Sequence, residues 1–192
     1  MTERGMIFNA EMVRALLDGR KTQTRRIMKA QPSSGVRTSP FVKSGFEDGH
    51  GKELSCPFGA VGDRIWVRET WAEAGAGAPE LQLYRANYPD HVPSYYENLE
   101  MAEDIRWRPS IHMPRWASRI TLEITKVRVE RLKHVPRSGI IAEGYPAERA
   151  ADGGEYDPFL WYRDLWESIY GEGSWQANPW VWVIEFRRIE GE

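Results

Sequence analysis

The stretch Leu16-Leu17-Asp18-Gly19-Arg20-Lys21-Thr22-Gln23-Thr24-Arg25-Arg26-Ile27 decides how the chain is read. It closes a helix-like run and opens a strand-like one. Upstream, Met12, Val13, Leu16 and Leu17 recur at helical spacing, and Asn9 is placed to cap the first turn with its side-chain oxygen. Gly19 sits where such a helix ends, because glycine takes the left-handed conformation without penalty. From Thr22 to Met28 the pattern suits a strand. Thr22, Thr24 and Arg26 then share one face, and Gln23, Arg25 and Ile27 the other. A lysine, two threonines and three arginines crowded behind a turn glycine suit a site for a polar or anionic ligand better than an idle surface turn.

Outward from this stretch the chain alternates short strand signals with two further helices. Met6-Ile7-Phe8 reads as a strand, and Gly62-Asp63 as a turn into the alternating Arg64-Ile65-Trp66-Val67-Arg68-Glu69. The longest strand signal runs from Ser118 to Leu132. Ile120, Leu122 and Ile124 alternate, as do Val127 and Val129, and the phase slips at Thr125-Lys126, which predicts a bulge in a curved sheet. Val135 to Glu143 reads as a short helix ending at Gly144. Pro158 to Tyr170 reads as a longer one, with Phe159, Tyr162, Leu165, Trp166 and Ile169 on one side. Trp180 to Arg188 closes the chain as a strand with Trp180, Trp182, Ile184 and Phe186 on one face. The reading is one α+β domain over 1–192: a curved sheet or small β-barrel with flanking helices and long loop insertions near 28–60 and 72–110.

Composition narrows the class. At 192 residues, 41% hydrophobic and 28% charged, the chain is ordinary for a globular protein. No apolar run approaches the ~20 residues of a membrane span, and the first residues lack a signal-peptide core, so the expectation is cytoplasmic with no membrane partner. A lone cysteine, Cys56, forms no internal disulfide. The four histidines are scattered, so no metal and no cofactor is expected. Net charge is −2, but residues 1–29 carry seven Lys/Arg against three Asp/Glu, and residues 106–137 nine against two. If these segments meet, they make a basic face suited to nucleic acid. Nine tryptophans supply either core or stacking platforms.

The pattern Gly19-x-Lys21-x-x-Thr24-x-Arg26 resembles the signature of the ASCH domain family, whose fold is the PUA-like β-barrel. Gly62-Asp63-Arg64-Ile65-Trp66-Val67, Ile141-Ala142-Glu143-Gly144 and Trp182-Val183-Ile184-Glu185-Phe186 resemble further family segments. With Ile111-His112-Met113-Pro114-Arg115-Trp116 the chain resembles phage and prophage members. The matched pieces span about half of it. The resemblance implies a partner among RNA, single-stranded nucleic acid and modified nucleosides. The family also includes an acetylcytidine amidohydrolase, and that likeness implies a catalytic set of Lys21, Thr24 and Glu143, with Glu148 the other carboxylate close to the aligned position.

The chemistry of such a set is sound, since a threonine hydroxyl becomes nucleophilic once a base takes its proton. A lysine serves if burial lowers its pKa, and a carboxylate orients it or shuttles protons. A strict strand puts Lys21 and Thr24 on opposite faces, so the turn at Gly19 must aim Lys21 at Thr24. Arg26, on the Thr24 face, is the better anion contact. Arg25 is as readily a surface ion-pair partner. Two further groups are ligand-binding candidates. One is Trp66, Arg68, Glu69 and Trp71, where a tryptophan stacks a base or simply packs. The other is the proline-bounded lip of Ser110, His112, Arg115 and Trp116, where His112 is an acid–base group or only a hydrogen-bond partner. Three functions follow as expectations: binding of nucleic acid or a modified nucleoside, hydrolysis of an acylated cytidine or RNA, and a phage accessory role in binding a host protein.

Overall fold

A computed structural model describes residues 1–190. Five strands form the main sheet: β1 (Glu3–Ile7), β2 (Gln23–Ile27), β5 (Arg64–Arg68), β8 (Thr121–Arg131) and β9 (Trp180–Ile189), in the order β1-β5-β8-β9-β2. β1 runs parallel to β5, and the other pairings are antiparallel. Four α-helices accompany the sheet: α1 (Ala10–Leu17), α2 (Arg137–Ala142), α3 (Ala147–Asp152) and α4 (Asp157–Tyr170). The class is α+β, as the sequence indicates. Among the described residues no ladder closes the sheet on itself. Its edge strands β1 and β2 are bridged by a side chain, Arg26 Nη2 donating to the Ile7 carbonyl at 2.7 Å.

β9 shows why the sheet has two cores. Trp182, Ile184 and Phe186 face one cluster with Phe8, Val13, Leu16, Ile65 and Leu122. Val181 and Val183 face the other, with Leu132, Ile140, Tyr162 and Trp166 from α2, α4 and their approaches. A strand covered on both sides reads as a continuous apolar run, and Val181-Trp182-Val183-Ile184 is one. The slip expected in β8 is present, since Ile124 pairs Phe186 while Lys126 pairs Glu185. This bulge puts Val127 and Val129 against the same cluster as Leu122 and Ile124, although their parity differs.

The insertions are less irregular than their composition suggests. Residues 28–60 hold a short hairpin, β3 (Val36–Thr38) with β4 (Phe46–Asp48), anchored by Phe46 edge-on to Trp182 at 5.7 Å. Residues 72–110 extend from a second pair, β6 (Trp71–Glu73) with β7 (Gln82–Tyr84), over a small cluster of Ala72, Leu83 and Ile105. Of these four strands only β7 falls in a stretch whose residues suggest a strand, Leu81 to Ala86; the other three carry too little alternation to be seen in sequence. α3 also escaped notice, because six mostly exposed residues have no buried face to impose a period. No helix among the described residues is long and apolar enough to cross a membrane.

The turn before β5 carries a testable charge. Asp63 Oδ1 accepts from the Thr2 N–H at 2.7 Å and Oδ2 from the Ala60 N–H at 3.0 Å, and these bonds hold its carboxyl at about 2. An unfolded aspartate titrates near ~3.9, so the unfolded chain takes the proton first as the pH falls. Asp63 therefore adds stability that is complete above about pH 4 and is lost toward pH 2. Urea midpoints across that range are expected to fall less steeply for Asp63→Asn than for the parent. Equal slopes would show that the turn does not hold the charge.

Candidate functional site

α1 ends at Leu17 with Asp18 as its C-cap, and Gly19 follows at φ +74°. The chain then folds back under the helix. Lys21 N–H donates to the Ala15 carbonyl at 3.0 Å, and Thr22 N–H to the Ala142 carbonyl at 2.9 Å. These two bonds thread the segment between α1 and α2 and drive the Lys21 side chain inward, to zero exposure. There Nζ donates to the Gln23 carbonyl, the Glu143 carbonyl and Glu143 Oε2, each at 2.9 Å. Three acceptors around one amine call for the ammonium form. Burial pulls the Lys21 pKa below its ordinary value, and the Glu143 carboxylate opposes that shift.

Glu143 is the C-cap of α2, followed by Gly144 at φ +104°. Its second oxygen accepts from Arg25 Nη1 at 3.1 Å, while Arg25 Nη2 reaches Glu130 on β8 at 3.1 Å. Arg128 Nε donates to Glu130 at 2.5 Å, and Arg128 also pairs with Glu185 and reaches Gln23 Oε1 at 3.1 Å. Gln23 in turn donates to the Gly139 carbonyl at 3.2 Å. Burial raises the Glu130 carboxyl, but bonds from Arg128 and Arg25 outweigh it and leave the pKa lowered. The two basic segments of the sequence do meet here. They meet as an interlocked ion-pair network and not as an open cationic face. Arg25, read as an anion contact or a surface ion-pair partner, has a fully buried side chain at its centre.

Beside this network lies a cavity of about 190 Å³ between β2, the start of α1 and α4. Thr24, Arg26 and Glu143 form its polar side. Tyr162, Leu165, Trp166, Ile169 and Tyr170 form an apolar and aromatic wall. Four of the five residues that spacing places on one side of α4 thus line the cavity. Lys21 is not among the lining residues. It sits behind Glu143, and its side chain is directed to that residue and to Gln23 instead of being aimed at Thr24 as the turn argument expected. Glu148 is exposed on α3, so the carboxylate that meets Lys21 is Glu143. Burial, then the Glu143 charge, pushes the Tyr162 hydroxyl well above its usual range, keeping it a neutral donor.

The remaining candidates lie outside the cavity lining. Trp66 is half-buried with the Arg68 guanidinium 5.4 Å over its ring, and Arg68 donates to the Ile111 carbonyl. Glu69 is buried against Arg119, whose Nε and Nη2 bond its two oxygens at 2.9 and 3.0 Å. Trp71 is 1% exposed, packed with Tyr84 and Met113, and it is core. Ser110 and His112 belong to one short turn of 3₁₀ helix. Arg115 pairs with Glu3 at 2.9 Å. Trp116 stays 63% exposed, edge-on to Trp71 at 5.4 Å. Reading the sequence alone missed Gln23, Arg128 and Glu130 as network members. It also missed Tyr170 as a wall of the cavity, although helical spacing had already placed Tyr162 and Trp166 on one face. No group of three potential metal ligands occurs among the described residues.

Comparisons with known proteins add a fold likeness alone. No protein-family model matches the chain, and no curated protein does. Among solved structures, the chain is similar in fold over 97% of its length to an ASCH domain from Lactobacillus crispatus, with 11% identity, 79% of that chain covered and a TM-score of 0.42.

Proposed function

We infer that the protein binds a single nucleobase, presented by a nucleoside or by RNA, in the cavity beside α4. The observation that carries this reading is the cavity itself: about 190 Å³, with Trp166 and two tyrosines on one side and Thr24, Arg26 and Glu143 on the other. An engineered protein cavity of about 150 Å³ admits benzene, so the volume suits one ring. An aromatic wall stacks any base, and a fixed carboxylate and hydroxyl read its edge. The Gly19-x-Lys21-x-x-Thr24-x-Arg26 resemblance points the same way. Titration with nucleosides and short single-stranded RNAs at low salt, followed by tryptophan fluorescence, is expected to show saturable binding. Trp166→Leu is expected to weaken it by about tenfold, since a base–aromatic stack contributes about 1–3 kcal/mol. Undiminished binding in that variant would place the ligand elsewhere.

A hydrolase on an acylated base is the second reading, favoured by Thr24 and Glu143 lining one cavity with Lys21 held 2.9 Å behind the carboxylate. In it Thr24 supplies the hydroxyl, Glu143 takes its proton, and Lys21 sets the carboxylate's position and charge. Acetate release from acetylcytidine that is lost in Thr24→Ala would support it, and release that persists in that variant would remove Thr24 from the chemistry.

A further inference from the structure

Every cation of the buried network has a carboxylate except one at its edge. Lys21 and Arg25 are matched by Glu143 and Glu130. Arg26 lines the cavity but forms no ion pair among the described residues. One terminal nitrogen is held by the Ile7 carbonyl at 2.7 Å, and its plane lies over Phe8 with 5.1 Å to the ring centroid. Its Nε is buried without a hydrogen-bond partner. Arginine does not shed its proton in proteins, so this charge remains wherever it is placed. The Tyr170 hydroxyl beside it is a further neutral hydrogen-bond partner, and the Glu143 carboxylate, already shared by Lys21 and Arg25, acts on it only from beyond ion-pair distance.

A second, independent feature points to the same place. Asn9 and Met12, in the cap and first turn of α1, line the same cavity. Asn9 Oδ1 already accepts the Met12 N–H at 2.8 Å. The two preceding N–H groups, of Ala10 and Glu11, have no intrahelical partner by construction, and the positive end of the helix dipole favours an anion there. The opposing charge in that turn is Glu11. Its carboxylate accepts from Trp161 Nε1 at 3.4 Å and is not part of the cavity lining.

We propose that the mouth of the cavity, between the Arg26 guanidinium and the first turn of α1, is a phosphate subsite. The ligand is then a nucleotide, free or within a strand, and not a neutral nucleoside. This rests on the base-binding reading above: the ring fills the cavity, and the phosphate attached to its sugar neutralises Arg26. Planar guanidinium and phosphate oxygens match in a paired, charge-assisted geometry.

Calorimetric titration of the parent protein with cytidine, uridine and their 3′- and 5′-monophosphates tests this. One monophosphate series is expected to bind about tenfold or more tightly than its nucleosides, with the advantage shrinking as salt rises. In Arg26→Gln the ratio of monophosphate to nucleoside affinity is expected to fall to about one, and Arg26→Lys to keep part of the parent ratio. Inorganic phosphate is expected to compete with the monophosphate and not with the nucleoside. Equal affinity of the parent protein for nucleosides and both monophosphates overturns the phosphate subsite and leaves base binding standing. No binding of any of them overturns both. Because the nucleotide-to-nucleoside ratio is read first on the parent protein, the test does not depend on a variant folding.

Discussion

Glu143→Gln is expected to lower the unfolding free energy by about 3–5 kcal/mol, the cost of stripping the partner from a buried charge. Glu143 is 3% exposed and accepts from both Lys21 and Arg25. Arg25 keeps Glu130, so Lys21 decides the size of the effect. The lysine must either stay charged with only carbonyl dipoles around it or lose its proton. Moving an amine pKa from about 10.4 to below neutrality costs about 1.4 kcal/mol per pH unit, which also comes to several kcal/mol. Two signatures separate this account from simple loss of packing. Adding Lys21→Met to Glu143→Gln should recover much of the loss, because no buried charge then lacks a partner. The single variant should also gain stability as the pH rises toward about 10.4, since the unfolded chain retains a proton that the folded variant holds weakly. Denaturant midpoints across pH measure both. A loss under about 1 kcal/mol, with no pH slope, would mean that the pair is screened by water and contributes little.

Gly144→Ala is the second large expected effect, about 2–6 kcal/mol. Gly144 has φ +104°, and a Cβ built there lies 2.9 Å from Ala15 Cβ and 3.3 Å from Lys21 Cβ. A methyl on α1 has no torsion by which to move aside, so the backbone must give. Strain of this kind costs about 1–3 kcal/mol, and overpacking adds about 1–3. Gly171→Ala is the matched control, with φ +96° and nothing within 4 Å of the added carbon. It should show the backbone cost alone. Since residue 144 follows Glu143, its displacement should also weaken ligand binding at the cavity. Thermal unfolding and one titration for each variant suffice, and equal losses in the two would dismiss the close approach of α1 to α2.

Much of this was legible from local pattern. The cap at Asn9, the helix end at Gly19, the bulge in β8 and the apolar side of α4 follow from relations among residues a few positions apart. The β3–β4 hairpin, β6 and α3 were not, because elements of three to six residues bury too little to impose a period. Arg25 shows the limit for a site. Its neighbours gave no sign of burial, since the residues that surround it, Glu130 and Glu143, lie on β8 and at the end of α2.

The residues by themselves determined that a helix, a glycine turn and a strand would follow one another at 10–27, and that lysine, threonine and arginine would cluster there. Side-chain periodicity, capping and glycine's freedom at positive φ are properties of the chain before it packs. The family resemblance already set Glu143 beside Lys21, and only the tertiary structure decided that the two would meet as a buried ion pair with Lys21 turned away from Thr24. It also decided that Thr24 and Arg26 would open onto a cavity walled by α4. Desolvation creates that division of roles. A charge in water has no required partner, whereas one enclosed by α1, α2 and β2 must have one. Which cation is satisfied, and which is left without a carboxylate, is therefore settled only when those elements close on each other.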